Sequence, residues 1–380
     1  VSGPVVADLG EAGILARIAP LLPSGRDVLV GPGDDCAVLA APDGRYCVST
    51  DVLVEGRHFR TDWSSGFDVG ARAAAQNLAD IAAMGARPVA LVACLVLPGA
   101  TPVDWVVDLA RGMALRCREA GAAVVGGDLS AGEGLVVAVT VHGDLEGRAP
   151  VLRSGARPGQ ALVLAGAPGR AAAGLALLEA GWGRRDDDEA GLAGAAAVPE
   201  TAAVAETDAA LALAEDCAAV FRAPRPPLKA GPALAGIGAS AMMDVSDSLV
   251  RDCGRIALAS GVVIDIDDPD DDCAALAADR AELEGVAALV PGARSAAGGT
   301  GAAVGTGGIR PDPRETARNW VLTGGEDHGM LATVPADAAR SLPEGARVIG
   351  RVRRAGGAGP GVLVGTRPWS GAQGWDHFRA

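Results

Sequence analysis

The chain has 380 residues, with 33 Lys or Arg against 47 Asp or Glu, a formal net charge of −14. It is too long for one compact core, its 49% apolar residues can fill two, and its charge repels nucleic acid and anionic membrane in bulk. Lys229 is the sole lysine, so an anionic substrate needs another source of positive charge, and bound metal is the natural candidate.

In chain order, GPGDDCAVL at 31–39 comes first and sets Asp34 beside Asp35 behind a Gly-Pro-Gly run. One carboxylate would serve a turn. YCVSTDVLV (46–54) predicts a strand carrying Ser49, Thr50 and Asp51, and His58 follows it. Helical spacing predicts a helix over 68–84 that contains Asp80, in an apolar stretch where an unpaired carboxylate is costly to bury. VALVACLVL (89–97) predicts a second strand and 103–120 a helix ending at Gly121. In VVGGDLS, Gly127 and Asp128 are expected just after a strand, and LVVAVTVHG (135–143) predicts another. Strands alternating with helices make this an α/β or α+β unit.

The Gly-, Pro- and Arg-rich DLEGRAPVLRSGARPGQ (144–160) marks an interdomain crossing, giving domains 1–148 and 149–380. Beyond it, ALVLAG and GRAAAGLALLEAG read as strand, turn and helix. AMMDVSDSLVRDCGRIALASG reads as a strand end, a Ser/Asp cap and a helix, with VVIDIDD as the next strand. The charge run beginning 183–200 and the Gly/Ala-rich 292–312 read as surface excursions.

The seven cysteines include no C-x-x-C pair and read as small buried residues of a reducing compartment. The apolar run at 89–97 is far too short to span a bilayer, and no signal-like stretch opens the chain. A cytoplasmic protein is expected.

Five acidic stretches place carboxylates at strand ends or beside glycine: Asp34 with Asp35, Asp51, Asp80, Asp128, and Asp244 with Asp247. Each alone has an ordinary use, as an Asx-turn at 34–35, a β-turn at Asp128, or a helix cap at Asp244 or Ser246. Together they favour a Mg²⁺ site, because Mg²⁺ takes hard oxygen ligands and keeps waters or phosphates in its remaining positions. No G-x-x-x-x-G-K-[ST] loop and no G-x-S-x-G elbow occurs. His58 reads equally as a substrate contact or a packing residue, and His142 as structural.

The order GDDCAVL, STDVLVEGRHF, NLADIAAMGARP, VVGGDLS, RSGARPGQALVLAG, MMDVSDSL, LTGGEDH and GWDHF resembles the thiamine-monophosphate kinase family, within the aminoimidazole-ribotide-synthetase-like superfamily. The resemblance runs from about residue 10 to 378, interrupted mainly at 183–220 and 270–318. It implies an α/β (α+β) two-domain fold, an N-terminal domain that dimerises through its sheet, and an ATP site between domains near the dimer interface. It implies ATP-dependent phosphorylation of thiamine monophosphate to thiamine diphosphate with several Mg²⁺ ions, by a homodimer. Asp35, Ser49, Thr50, Asp51, Asp80, Asp128, Asp244 and Asp247 match its metal-holding positions, with Asp34 their neighbour. Gly127, Arg153 and Ser246 match nucleotide contacts, and His58, Glu326 and Trp375 match positions around thiamine monophosphate.

Some positions depart from the family pattern: Ser248 replaces a glycine, His328 and Gly329 replace Tyr and Glu, and APRPPLKAG lacks the arginine usual before its glycine. Relatives of other activity fit less well. STDVLVEG stands where an aminoimidazole-ribotide synthetase shows DGVGTK, and the N-terminal reactive Cys near a lysine of a selenophosphate synthetase is missing. The chain ends DHFRA, where a hydrogenase-maturation relative ends in cysteine. A non-catalytic metal- or nucleotide-binding module is the alternative of a different class.

Overall fold

A computed structural model describes residues 3–30, 37–183, 204–290, 312–372 and 374. The chain forms two compact units, Val1–Pro150 with Arg222–Pro224, and Val151–Phe221 with Arg225–Ala380.

The first unit contains α1 (Val6–Ile18), β1 (Val28–Val30), β2 (Val38–Leu39), β3 (Cys47–Val54), α2 (Gly66–Ala83), β4 (Arg87–Leu97), α3 (Val103–Ala120), β5 (Ala123–Ala131) and β6 (Val136–Asp144). Four strands make one sheet in the order β3-β6-β4-β5, and β1 pairs with β2 in a separate two-stranded ribbon. The helix at 68–84 begins two residues earlier than its pattern predicts. Ser65 caps it, its hydroxyl accepting from the Asp68 N–H while Asp68 accepts from the Ser65 N–H. Helix α3 ends where predicted, on Gly121 in the left-handed conformation.

Period-two burial along β3 explains the layering. Leu53 is buried against the helical layer, whereas Val48 and Val52 on the opposite face are 61% and 46% exposed. Register extends the two faces across the sheet: Val52 pairs with Ala138, Ala138 with Cys94, and Cys94 with Asp128. One face therefore packs on helices; on the other, the ribbon residues Val28 and Leu39 pack by Ala90 and Ala123, and the region of Val48 and Val52 is left exposed within the unit.

The second unit contains β7 (Ala161–Ala165), α4 (Arg170–Glu179), α5 (Val204–Arg222), α6 (Ala230–Gly236), β8 (Ala241–Val245), α7 (Leu249–Ser260), β9 (Val262–Ile266), α8 (Leu276–Leu289), α9 (Pro313–Thr323), β10 (Gly329–Val334), β11 (Ala346–Arg354), β12 (Gly361–Val364) and β13 (Arg367–Pro368). Its seven strands run β13-β12-β9-β11-β7-β10-β8, antiparallel except for the β12–β9 pair. Leu164, Val245, Ile256, Leu283 and Trp320 meet in its core. Every residue of β8 and β10 is buried, so apart from Asp244 and Thr333 these two strands read as apolar runs with no alternation. The described parts of the 183–220 and 270–318 stretches include most of α5, all of α8 and part of α9, and Ala-rich text hides α5 and α8 from hydrophobic patterning. Residues 184–203 and 291–311, the core of both expected excursions, lie outside the described residues.

Candidate active site

In the first unit, the candidate residues of β3 divide by face. The Ser49 hydroxyl donates to Asp80 Oδ2 at 2.6 Å, joining β3 to α2 and giving the carboxylate in the apolar helix a partner. The Asp51 backbone N–H donates to Asn77 Oδ1 at 3.1 Å, and Asn77, fully buried, donates to the Ala73 carbonyl within α2. Ser49, Asp51, Asn77 and Asp80 thus occupy the helix-side face. Asn77 escapes sequence reasoning, although its i,i+3 spacing from Asp80 puts both on one stripe of the helix.

Thr50 points the other way. Its hydroxyl donates to the Val139 carbonyl and accepts from Thr140. Asp128 shares that open face and accepts from the Ser130 hydroxyl at 2.9 Å. Three strand spacings separate Asp128 from the β3 row, about 14 Å. Gly127 and Asp128 stand inside β5, not after it. Gly127 packs so closely on β4 that a Cβ would overlap the Ala93 carbonyl oxygen. His58 turns back on its own strand, its Nδ1 accepting from the Val54 N–H at 3.0 Å. Asp34 and Asp35 lie outside the described residues.

In the second unit, the candidates gather where β8 ends and α7 begins. The helix cap is neither Asp244 nor Ser246 but Ser248, whose hydroxyl accepts from the Arg251 N–H at 3.1 Å. Its backbone is extended, so the residue that replaces the family's glycine is unstrained and supplies a cap that glycine lacks. Asp252, fully buried, accepts from the Asp247 and Ser248 N–H groups and pairs with Arg255. Burial, together with the charges of Asp244 and Asp247, pushes its pKa up to about 6 against the opposing pull of Arg255. Arg255 also bonds the Asp247 carboxylate. Asp252 and Arg255 were not singled out from sequence; the signal was an acid in the first turn of a capped helix.

The GGEDH segment closes on this turn. Glu326 N–H donates to the Ser246 carbonyl and His328 N–H to the Val245 carbonyl. Glu326 and His328 hold left-handed φ values of 70° and 51°, uncommon for residues with a Cβ. Asp327 accepts from the Gly169 and Ala171 N–H groups at the start of α4, at 2.6 and 2.7 Å. Burial pushes its pKa up to about 7 despite those two bonds. His328 is buried, with Nδ1 at 3.0 Å from Asp244 Oδ2 and Nε2 at 3.7 Å from Glu326 Oε2. Burial disfavours its charged form, but the two carboxylates outweigh that and push its pKa up to about 10. Gly329 has its own reason: a Cβ would stand 2.8 Å from the Ala165 carbonyl oxygen.

Arg153 is exposed on a single 3₁₀ turn, its carbonyl accepting from the Ser260 hydroxyl. Trp375 lies outside the described residues, but its neighbour Gly374 abuts Ser248, where a Cβ would overlap the hydroxyl. Among the described residues, no three His, Cys, Asp or Glu side chains form a group able to hold a metal ion.

Residues 33–145 match the family model "AIR synthase related protein, N-terminal domain". The thiamine-monophosphate kinase of Mycobacterium tuberculosis is 41% identical over 99% of this chain and 93% of its own length. The chain belongs to the thiamine-monophosphate kinase family. The Corynebacterium glutamicum member is 40% identical, covering 93% of this chain and 88% of its own. The crystal structure of the Stenotrophomonas maltophilia thiamine-monophosphate kinase superimposes with a TM-score of 0.67 at 28% identity, covering 94% of this chain and 95% of that one. The fold of this family member is the mixed α/β, aminoimidazole-ribotide-synthetase-like fold.

Proposed function

We propose that the protein transfers the γ-phosphoryl group of ATP to thiamine monophosphate, giving thiamine diphosphate and ADP. The observation that carries this reading is 41% identity along nearly the whole chain to a kinase named for that substrate.

The acceptor brings its own nucleophile. The second pKa of a phosphate monoester is about 6, so at neutral pH its terminal oxygen is anionic and needs no strong general base. That oxygen attacks the γ-phosphorus, the bond to the ADP oxygen breaks, and the electron pair leaves with ADP. The obstacle is repulsion between two anions, which Mg²⁺ relieves when bound by neutralising and aligning the phosphates.

The donor set fits a hard cation: Ser49, Asp51 and Asp80 share one face, are oxygen donors, and would together hold part of its shell. Asp35, Thr50, Asp128, Asp244 and Asp247 complete the proposed set, with Asp247 already sharing charge with Arg255. Gly127, Ser246 and the exposed Arg153 are proposed to contact ATP, Arg153 by a charge-assisted bond to phosphate. His58, Glu326 and Trp375 are proposed to line the acceptor pocket. We assign the dimer contacts to the N-terminal domain, which also carries Asp35, Ser49, Thr50, Asp51, Asp80, Gly127 and Asp128 of the proposed set. A second copy would cover the open sheet face of Val48 and Val52, which also carries Asp128. A cytoplasmic location accords with the described helices, none of which is long and apolar enough to cross a membrane.

The test measures ADP release and thiamine diphosphate formation with thiamine monophosphate, with thiamine, and without acceptor, across a Mg²⁺ titration. Thiamine diphosphate is expected only with the monophosphate and only with Mg²⁺. Binding of Mg-ATP with no thiamine diphosphate at any Mg²⁺ concentration would replace this reading with that of a binding module.

A further inference from the structure

His328 is the one histidine among the described residues that is buried and placed between two proposed site carboxylates. A carboxylate accepts only, so the 3.0 Å contact to Asp244 puts a proton on Nδ1. The other nitrogen is buried, has no hydrogen-bond partner, and stands 3.7 Å from Glu326 Oε2. The backbone cannot let the ring drift. Residue 328 is fixed by its N–H to Val245, by Asp327 bonding the start of α4, and by β10, which begins at the next residue. In the antiparallel register Met330 pairs with Asp244, so the ring has only to reach across to the neighbouring strand.

We propose that His328 is a positioning residue that sets both acids with one ring, Nδ1 fixing the Asp244 carboxylate and Nε2 holding Glu326 towards the acceptor. The inference rests on the proposed function for the roles of those acids, but the bridge itself is independent of it. A left-handed backbone at 326 points that side chain along an uncommon path, with Nε2 3.7 Å from its Oε2.

Two measurements test this, both free of turnover. The first is proton NMR of the ¹⁵N-histidine-labelled protein. A downfield Nδ1–H signal from His328 is expected to vanish in Asp244→Asn, and the Nε2 resonance to move in Glu326→Gln. Unchanged spectra in both variants overturn the bridge. The second is calorimetric binding of thiamine monophosphate without ATP or Mg²⁺. Glu326→Gln and His328→Phe are each expected to weaken binding about tenfold, and the double variant no further than Glu326→Gln alone. His328→Gln, which keeps a donor near the Nε2 position, should recover part of the loss, while His328→Asn, which keeps one near Nδ1, should not. Additive losses, or wild-type affinity in His328→Phe, overturn the positioning role. If His328→Phe does not fold, the Gln and Asn pair decides: equal affinities overturn the proposal. Wild-type protein that fails to bind thiamine monophosphate overturns the proposed function, and the NMR arm still judges the bridge.

Discussion

Asp51 and Asp128 lie in adjacent rows of one sheet but on opposite faces, so substitutions there probe different halves of the proposed phosphate-neutralising set. Asp51→Asn and Asp128→Asn are each expected to lower kcat about 10²-fold or more, with half-maximal activity moved to higher Mg²⁺. Unchanged turnover in either variant removes that acid from the set. Asp327 gives a separate prediction through pH. Its pKa is raised from 3.8 to about 7 in the fold, so between those values the folded protein holds a proton that the unfolded chain has lost. That contribution is full below about pH 4 and is lost as pH rises through about 7. The difference in melting temperature between wild type and Asp327→Asn should therefore shift against wild type over that window and level off above it. The chemical type of these acids was legible in the sequence, because a carboxylate in an apolar helix or at a strand end has few idle uses. The face each one takes was not, since it depends on register, and a slip of one residue reverses it.

Helix α7 and strand β5 show where local signals ran out. The sequence predicts a Ser/Asp cap before α7, yet four serines and acids compete for it, Asp244, Ser246, Asp247 and Ser248, and only the path of the chain selects Ser248. Ser248→Ala is expected to cost about 1 kcal/mol, and Ser248→Gly only a few tenths, in denaturant unfolding. Equal costs would show that the hydroxyl bond to Arg251 contributes nothing. In β5 the two glycines look like a loop after a strand, because glycine weakens strand patterning. Pairing with β4 carries the strand through them. Gly127→Ala should destabilise the protein by about 1–3 kcal/mol, since a Cβ collides with backbone that cannot turn aside. Helix α2 by its apolar stripe, and α3 by its stripe and closing Gly121, were legible to within two residues. The buried strands β8 and β10 were harder, because continuous apolar text suits a strand or a helix equally.

For the whole molecule, the open sheet face is the feature that a second copy would complete. Val52→Asp puts a charge on the exposed edge-strand side of that face and is expected to shift sedimentation from dimer to monomer, with activity falling in step if Asp128 works beside the contact. A wild-type protein that sediments as a monomer at all concentrations would sink the dimer proposal. The wide separation of the acidic motifs hid such relations from the sequence, since faces and neighbours arise only when strands far apart in the chain pair.

One consequence concerns the amino end of α4. The first free N–H groups of a helix usually offer a ready seat for phosphate, but here Gly169 and Ala171 already give theirs to Asp327. The chain has filled that seat with an acid of its own. In a protein with one lysine and an excess of fourteen negative charges, that helix end is closed to a further anion, and phosphate analogues should leave the α4 amide signals unmoved.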